Sequence, residues 1–338
     1  MTIARWNRLL VGIVLYGGVF VIMCVVGGLG YFHFADPQDT CASCHEMTGV
    51  HSDWQSSVHR TIHCRECHGG ALTLDVHALE SHFDRVVRHL TGDPQRPVRL
   101  LEKHVVALND TCRNCHPQAY AGWKASRHAT TYGRIFIDAD FNKVEPPTDD
   151  CLRCHGMFFE GDVKELVSRD ESGAWRMLDP ARTDQPAIPC LSCHQIHAPS
   201  DGTQVASLYD HRERTHFPAQ LLPVAMIFQG DRAVKVSRDP RQRTCVACHA
   251  PDATHQIATA DDHTPAGVHE GLSCRDCHWG HDNSAKASCS ACHPADSHCG
   301  IEVQKMDTTY LSLTSTHNIH TVSCADCHPE GVPRKKRS

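Results

Sequence analysis

Aromatic residues make up only 6% of this 338-residue chain, and its mean hydropathy is −0.37. So little bulky apolar material argues against one large core built from side chains. A basic balance is also missing. The net charge is −6 with neutral histidines, which removes the electrostatic footprint of a nucleic-acid binder, and no nucleic-acid partner is expected. There is no repeat of constant length, so a solenoid is excluded. Cysteine, by contrast, is abundant: 20 residues, far above ordinary intracellular usage.

Eighteen of the 20 fall into nine copies of Cys-x-x-Cys-His. In chain order these are Cys41/Cys44/His45, Cys64/Cys67/His68, Cys112/Cys115/His116, Cys151/Cys154/His155, Cys190/Cys193/His194, Cys245/Cys248/His249, Cys274/Cys277/His278, Cys289/Cys292/His293 and Cys324/Cys327/His328. Two thiols three positions apart can add to the two vinyl groups of one haem, and the next His then reaches the iron. A zinc site usually couples two Cys pairs without a His fixed behind each, and a thioredoxin-like pair occurs once per domain. Nine identical motifs therefore read as nine covalently bound haem c groups, with the porphyrins stacked as a core in place of side chains.

Leu9 to Phe34 carry no charged side chain, a run long enough to cross a bilayer as a helix. No Ala-x-Ala site follows, so the segment reads as an uncleaved anchor, with a cleaved signal as the alternative. Arg5 and Arg8 precede it and Asp36 and Asp39 follow it. The positive-inside bias puts the N-terminus in the cytoplasm and the haem motifs on the periplasmic side of the inner membrane. The glycines of the run (Gly12, Gly17, Gly18, Gly27, Gly28, Gly30) either admit a partner helix or are ordinary membrane glycines. Cys24 reads as an inert apolar residue.

Beyond the anchor, an apolar helical period marks 71–108, broken by Gly92, Pro94 and Pro97. The stretch 156–189 reads as an insertion with a hairpin, and 221–236 as a second small hairpin. The fold class is mainly α and irregular, with one transmembrane helix and little β-structure. Fifteen residues separate the starts of the seventh and eighth motifs, which makes those two haems close neighbours. The basic tail Arg334–Arg337 is either solvated or a dock for an acidic partner.

Nine of the 28 histidines belong to motifs, leaving 19 as candidates for the second axial position. His59 and His269 each lie five residues before a motif, His320 lies four before one, and His197 and His281 follow a motif His by three. His128 ends the run His116-Pro-Gln-Ala-Tyr-Ala-Gly-Trp123-Lys-Ala-Ser126-Arg-His128. These six read as ligands, against a surface or propionate-binding role. His104, His216 and His317 stay open between the two, and His33 reads as interfacial.

The first 155 residues resemble the NapC/NirT/NrfH family of membrane-anchored quinol dehydrogenases. The likeness rests on one span followed by Cys41-Ala-Ser-Cys44-His45-Glu46-Met47, and on Ser57-Val-His59-Arg-Thr-Ile-His-Cys64-Arg-Glu-Cys67-His68. It implies Met47 as axial ligand of the first haem, with His45 the alternative, and His59 as ligand to the fourth. It also implies a quinol site on the helix after the second motif. There Asp84 matches the family's acidic residue, and His77 or His82 stands where the family has a lysine. Apart from the resemblance, Asp84 reads as a surface acid paired with Arg88. The Pro-x-x-Tyr-x-x-Trp-x-x-Ser-x-His run after the third motif resembles multihaem carriers and reductases related to cytochrome c554.

The expected organisation is an anchor over 1–35, a NapC/NrfH-like tetrahaem domain over 36–160 and a pentahaem domain over 161–338. The expected work is carriage of electrons between membrane quinol or quinone and a periplasmic redox protein or reductase. Two alternatives stay open: a multihaem reductase of a small nitrogen or sulfur oxyanion, and a subunit alongside other membrane subunits of a respiratory complex. The sequence has no Cys-x-x-Cys-Lys motif and a generous supply of His, both of which weigh against a catalytic haem.

Overall fold

The computed structural model describes residues 3–36, 39, 42–69, 87, 89–91, 102–144, 146–197, 208–210, 215–217, 228–229, 232–233, 235, 237–249, 267–278, 280–281, 289, 291–293, 319–320 and 322–331. The chain divides into two compact units, Met1–Leu100 and Leu101–Ser338.

In the first unit, α1 (Ile3–Phe34) is one unbroken helix. Its apolar stretch Leu10–Gly28 has 19 residues, about 28 Å of helix and close to the thickness of a bilayer's hydrocarbon core. Val14, Tyr16, Phe20 and Ile22 stand fully out from it, an arrangement suited to lipid rather than water. A 3-10 turn (His45–Met47) leads into α2 (Thr48–Ser56), and α3 (Cys64–His68) holds the second motif. Arg65 on α3 donates from its guanidinium to the Ala35 carbonyl at the end of α1, and His63 Nε2 lies 3.9 Å from Asp36 Oδ1.

The second unit opens with α4 (Glu102–Cys115). This helix runs past residue 108, where the apolar period stops, because the third motif is itself a helical turn. The following elements are α5 (Pro117–Ala125), α6 (Tyr132–Phe136), α7 (Phe141–Val144), α8 (Asp149–Leu152) and α9 (Val163–Leu166). Strands β1 (Val167–Arg169) and β2 (Trp175–Met177) form the antiparallel hairpin expected within 156–189. Asp170 shapes its turn by accepting from the Ser172 and Ala174 amides, with Gly173 at φ +84°. A further pair, β3 (Leu208–Asp210) and β4 (Thr215–Phe217), had no alternating pattern to announce it. Strands β5 (Phe228–Gln229) and β6 (Arg232–Ala233) pair within the second expected hairpin. Helices α10 (Arg243–His249), α11 (Cys274–Cys277) and α12 (Cys324–Cys327) carry later motifs.

Among the described residues, the second unit's apolar cluster is Tyr132, Phe136, Leu152, Leu166, Val167, Met177 and Ala187. It takes residues from both sides of position 160. Gly156, at φ +128°, follows the fourth motif's His directly. A Cβ there would sit 3.1 Å from Leu152 and Tyr132 side-chain atoms, so only glycine lets the chain turn back onto the cluster. At the rim, the Tyr132 hydroxyl and the Arg182 guanidinium both donate to the Glu102 carboxylate, fastening α4 to the cluster. Burial, and then the Glu102 charge, push the Tyr132 phenol up, so it stays a donor.

One local device occurs in both units. At the end of α2, Ser57 Oγ donates to the Trp54 carbonyl (2.8 Å) and accepts from the His59 amide (3.1 Å). At the end of α5, Ser126 Oγ donates to the Trp123 carbonyl (2.7 Å) and accepts from the His128 amide (3.1 Å). The hydroxyl satisfies an orphan carbonyl of the last turn and fixes the backbone that carries the His.

Replacing the fully buried Phe136 by Ala should cost about 3–5 kcal/mol, whereas Leu178→Ala at an exposed position should stay within about 0.5 kcal/mol. Denaturant midpoints of the detergent-solubilised full-length variants, followed by far-UV circular dichroism, check the contrast.

Candidate haem-binding sites

From the second motif onward, the described motif residues form a helical turn or close a longer helix, whereas Cys44 of the first is extended and its 3-10 turn starts at His45. The His amide donates to the first Cys carbonyl in the third, fourth, fifth, seventh, eighth and ninth motifs, at 2.8–3.0 Å. In such a turn, positions i and i+3 share a face, so the two thiols project together with the imidazole next to them. The seventh and ninth turns each start on a capping box, Ser273 with Asp276 and Ser323 with Asp326. Cys41 lies outside the described residues, as does the side chain of Cys327.

The fold gathers motifs that are distant in sequence. The Cys112 thiol hydrogen-bonds Cys190, joining the third and fifth motifs, and Asn109 Oδ1 accepts from the Cys190 amide at 2.9 Å. Cys154 and Cys248 join the fourth and sixth in the same way, and Cys245 and Cys274 join the sixth and seventh. Gln242, buried just before α10, accepts from the Cys274 amide, and Asp239 accepts from Ser273 Oγ at 2.8 Å.

The seventh and eighth motifs meet directly: burial, then Cys289, and to a smaller extent Asp276 and Cys292, push the Cys277 thiol up. The same contacts place the seventh and eighth motifs beside each other, as their 15-residue interval requires.

Motif histidines face histidines from other segments. His249 faces His128 with ring centres 6.0 Å apart, and His194 faces His281 at 5.8 Å. His278 faces His320 at 6.1 Å with ring planes 2° from parallel, and His293 faces His269 at 6.4 Å. Two imidazoles bonded to one metal at roughly 2 Å each have their centres about 6 Å apart. The four pairs have the separation that one iron needs, so the residues present fit a haem with two imidazole ligands.

Orientation is set outside the pairs. The Ile319 carbonyl lies 3.1 Å from His269 Nδ1, which leaves Nε2 for a metal, and the Val268 amide donates to the Val322 carbonyl alongside. Burial, followed by His249, His155 and His278, holds the His128 imidazole below its ordinary pKa. It is therefore neutral near pH 7, the form that offers a lone pair.

In the first unit, His45 faces His89 at 5.6 Å, with Glu46 Oε1 2.8 Å from His89 Nδ1 and 3.4 Å from His45 Nε2. The hydrogen bond from His89 lowers the Glu46 pKa. Met47 closes the 3-10 turn that begins at His45. His59 follows α2, with its carbonyl accepting from Trp54 Nε1 at 3.0 Å. His104 lies half-buried on α4, and His197 is half-buried behind the fifth motif. His68, His116, His155 and His328 hold their motif positions. Asp84, His82, His77 and His317 lie outside the described residues, as does the side chain of His33.

A family model described as outer membrane cytochrome MtrC/MtrF-like, domains II/IV, matches residues 37–207. The chain belongs to this family. The match supports the multihaem c-type cytochrome reading and does not single out NapC/NirT/NrfH. The MtrC/MtrF-like stretch holds the first five motifs, and a multihaem cytochrome domain of this kind implies covalent c-type haem and electron transfer. No curated protein and no solved structure matches the chain.

Sequence spacing singled out His128, His269, His281 and His320 but not the motif each one faces. It passed over His89, which shares its stretch with His77 and His82 and has no distinguishing interval. The facing rings predict that His281→Ala and His320→Ala each turn one low-spin haem per chain into a high-spin one. Electron paramagnetic resonance of the oxidised full-length protein reads that change.

Proposed function

We propose that this chain is a membrane-anchored electron carrier linking the quinone pool to a periplasmic redox partner, by oxidation of quinol at the face of the inner membrane. The observation that carries the reading is the tie between α3 and the end of α1. Arg65, inside the second motif, donates to Ala35, and His63 approaches Asp36, so a haem-attachment turn is fastened where the apolar helix stops. Only six residues separate Phe34 from Cys41, at most about 25 Å of extended chain to the first motif.

Haem c, once attached, supplies a one-electron iron couple at each motif. The polypeptide anchors it through paired thiols, presents a neutral imidazole such as His128, and brings attachment turns from separate segments into contact. With haem filling the space between these turns, the porphyrins form the core that the side chains are too few to make, through a tetrahaem part over 36–160 and a pentahaem part over 161–338. Quinol oxidation releases two protons, and Asp84, His82 and His77 are the acceptors we assign to that step. Nine motifs give nine haem c groups.

A second reading follows from the family match. Cytochromes named for the outer membrane need export, and α1 would then be a signal removed on the way. The intact mass of the purified protein separates the two, since a retained α1 supports the anchor.

To test quinol oxidation, a menaquinol analogue is added to the full-length protein in nanodiscs. The proposal expects haem reduction followed at the α-band. No reduction by quinol, with complete reduction by dithionite, would contradict it.

A further inference from the structure

We infer that His89 is the second axial ligand of the first haem, opposite His45, and that Met47 is not a ligand; this rests on the electron-carrier reading above. The His45 and His89 ring centres lie 5.6 Å apart, close to the four pairs of the second unit and to the separation set by two bonds to one metal. Cys44 Sγ, a Glu46 carboxylate oxygen and a His89 ring nitrogen all lie within 4.8 Å of one another, so His89 stands at the attachment sulfur as well as opposite the motif imidazole.

Glu46 orients the ring. Its Oε1 is 2.8 Å from His89 Nδ1, the carboxylate–imidazole contact that typically holds a metal-bound His in one tautomer and leaves Nε2 for the metal. Glu46 Oε2 is buried and has no hydrogen-bond partner, so the carboxylate is committed to this cluster rather than to solvent. Met47 is placed differently. Successive residues of the 3-10 turn His45–Met47 are about 120° apart around its axis, so side chains two positions apart point in different directions. The turn can aim one of the two at the iron, and His45 is the one that meets an opposing imidazole. A bis-His first haem has a lower potential than a His/Met haem, since a Met ligand raises it.

The test uses the full-length, haem-loaded protein in detergent, with oxidised-state electron paramagnetic resonance and near-infrared magnetic circular dichroism. In His89→Gly, one low-spin haem per chain becomes high-spin, and added imidazole restores it. Met47→Leu leaves both spectra as in the wild type. A fully loaded protein whose spectra do not change in His89→Gly overturns the assignment alone, as does loss of a thioether-to-iron band in Met47→Leu. A wild type without covalent haem overturns the assignment together with the electron-carrier reading.

Discussion

Imidazole facing imidazole across the width of one metal ion is the constraint around which the second unit is arranged. His128 comes from the segment after the third motif and meets the sixth; His281 follows the seventh and meets the fifth. His320 precedes the ninth and meets the seventh, while His269 precedes the seventh and meets the eighth. Each of these pairs therefore ties two motif-bearing segments together. When a metal centre recruits ligands from separate parts of a chain, its binding free energy becomes folding free energy. That suits a unit whose described apolar cluster centres on Tyr132 and Phe136 and whose described hairpins are too short to bury a face of their own.

The same logic gives a role to polar contacts that would otherwise look scattered. Asn109, Gln242, Asp239 and Ser273 each bind a residue in or beside a motif turn, and the Ile319 carbonyl holds one of the facing imidazoles. Ser57 and Ser126 set the backbone before His59 and His128 in the same way in two separate units. These are short-range devices that position side chains without a continuous hydrophobic core. In the first unit, the Arg65 contact does comparable work for α3, and its partner is the end of an apolar helix.

Much of this was legible in the sequence wherever the signal was local. The Cys-x-x-Cys-His spacing is a helical turn written out, and the uncharged run after Leu9 is a helix of membrane length. The Trp-x-x-Ser-x-His segment marked His128 because its hydrogen bonds close within five residues. The hairpin around Asp170 was readable for the same reason, through its turn chemistry. Partner choice was not readable, because which motif His281 or His320 faces depends on tertiary folding and no interval encodes it. The β3–β4 hairpin was missed because His211-Arg-Glu-Arg214 between its strands offers no Gly, Asn or Pro turn signal. The resemblance to quinol dehydrogenases drew attention to Met47, whereas the imidazole opposite His45 comes from His89, beyond the reach of motif spacing.

The most direct test of the central claim is an electron cryo-microscopy map of the haem-loaded full-length protein. Iron density is expected midway between His128 and His249, between His194 and His281, between His278 and His320, and between His269 and His293. Each porphyrin should be joined to the two cysteines next to its motif His. Irons bound by other side chains, or motif turns holding a metal without a porphyrin, would contradict this arrangement.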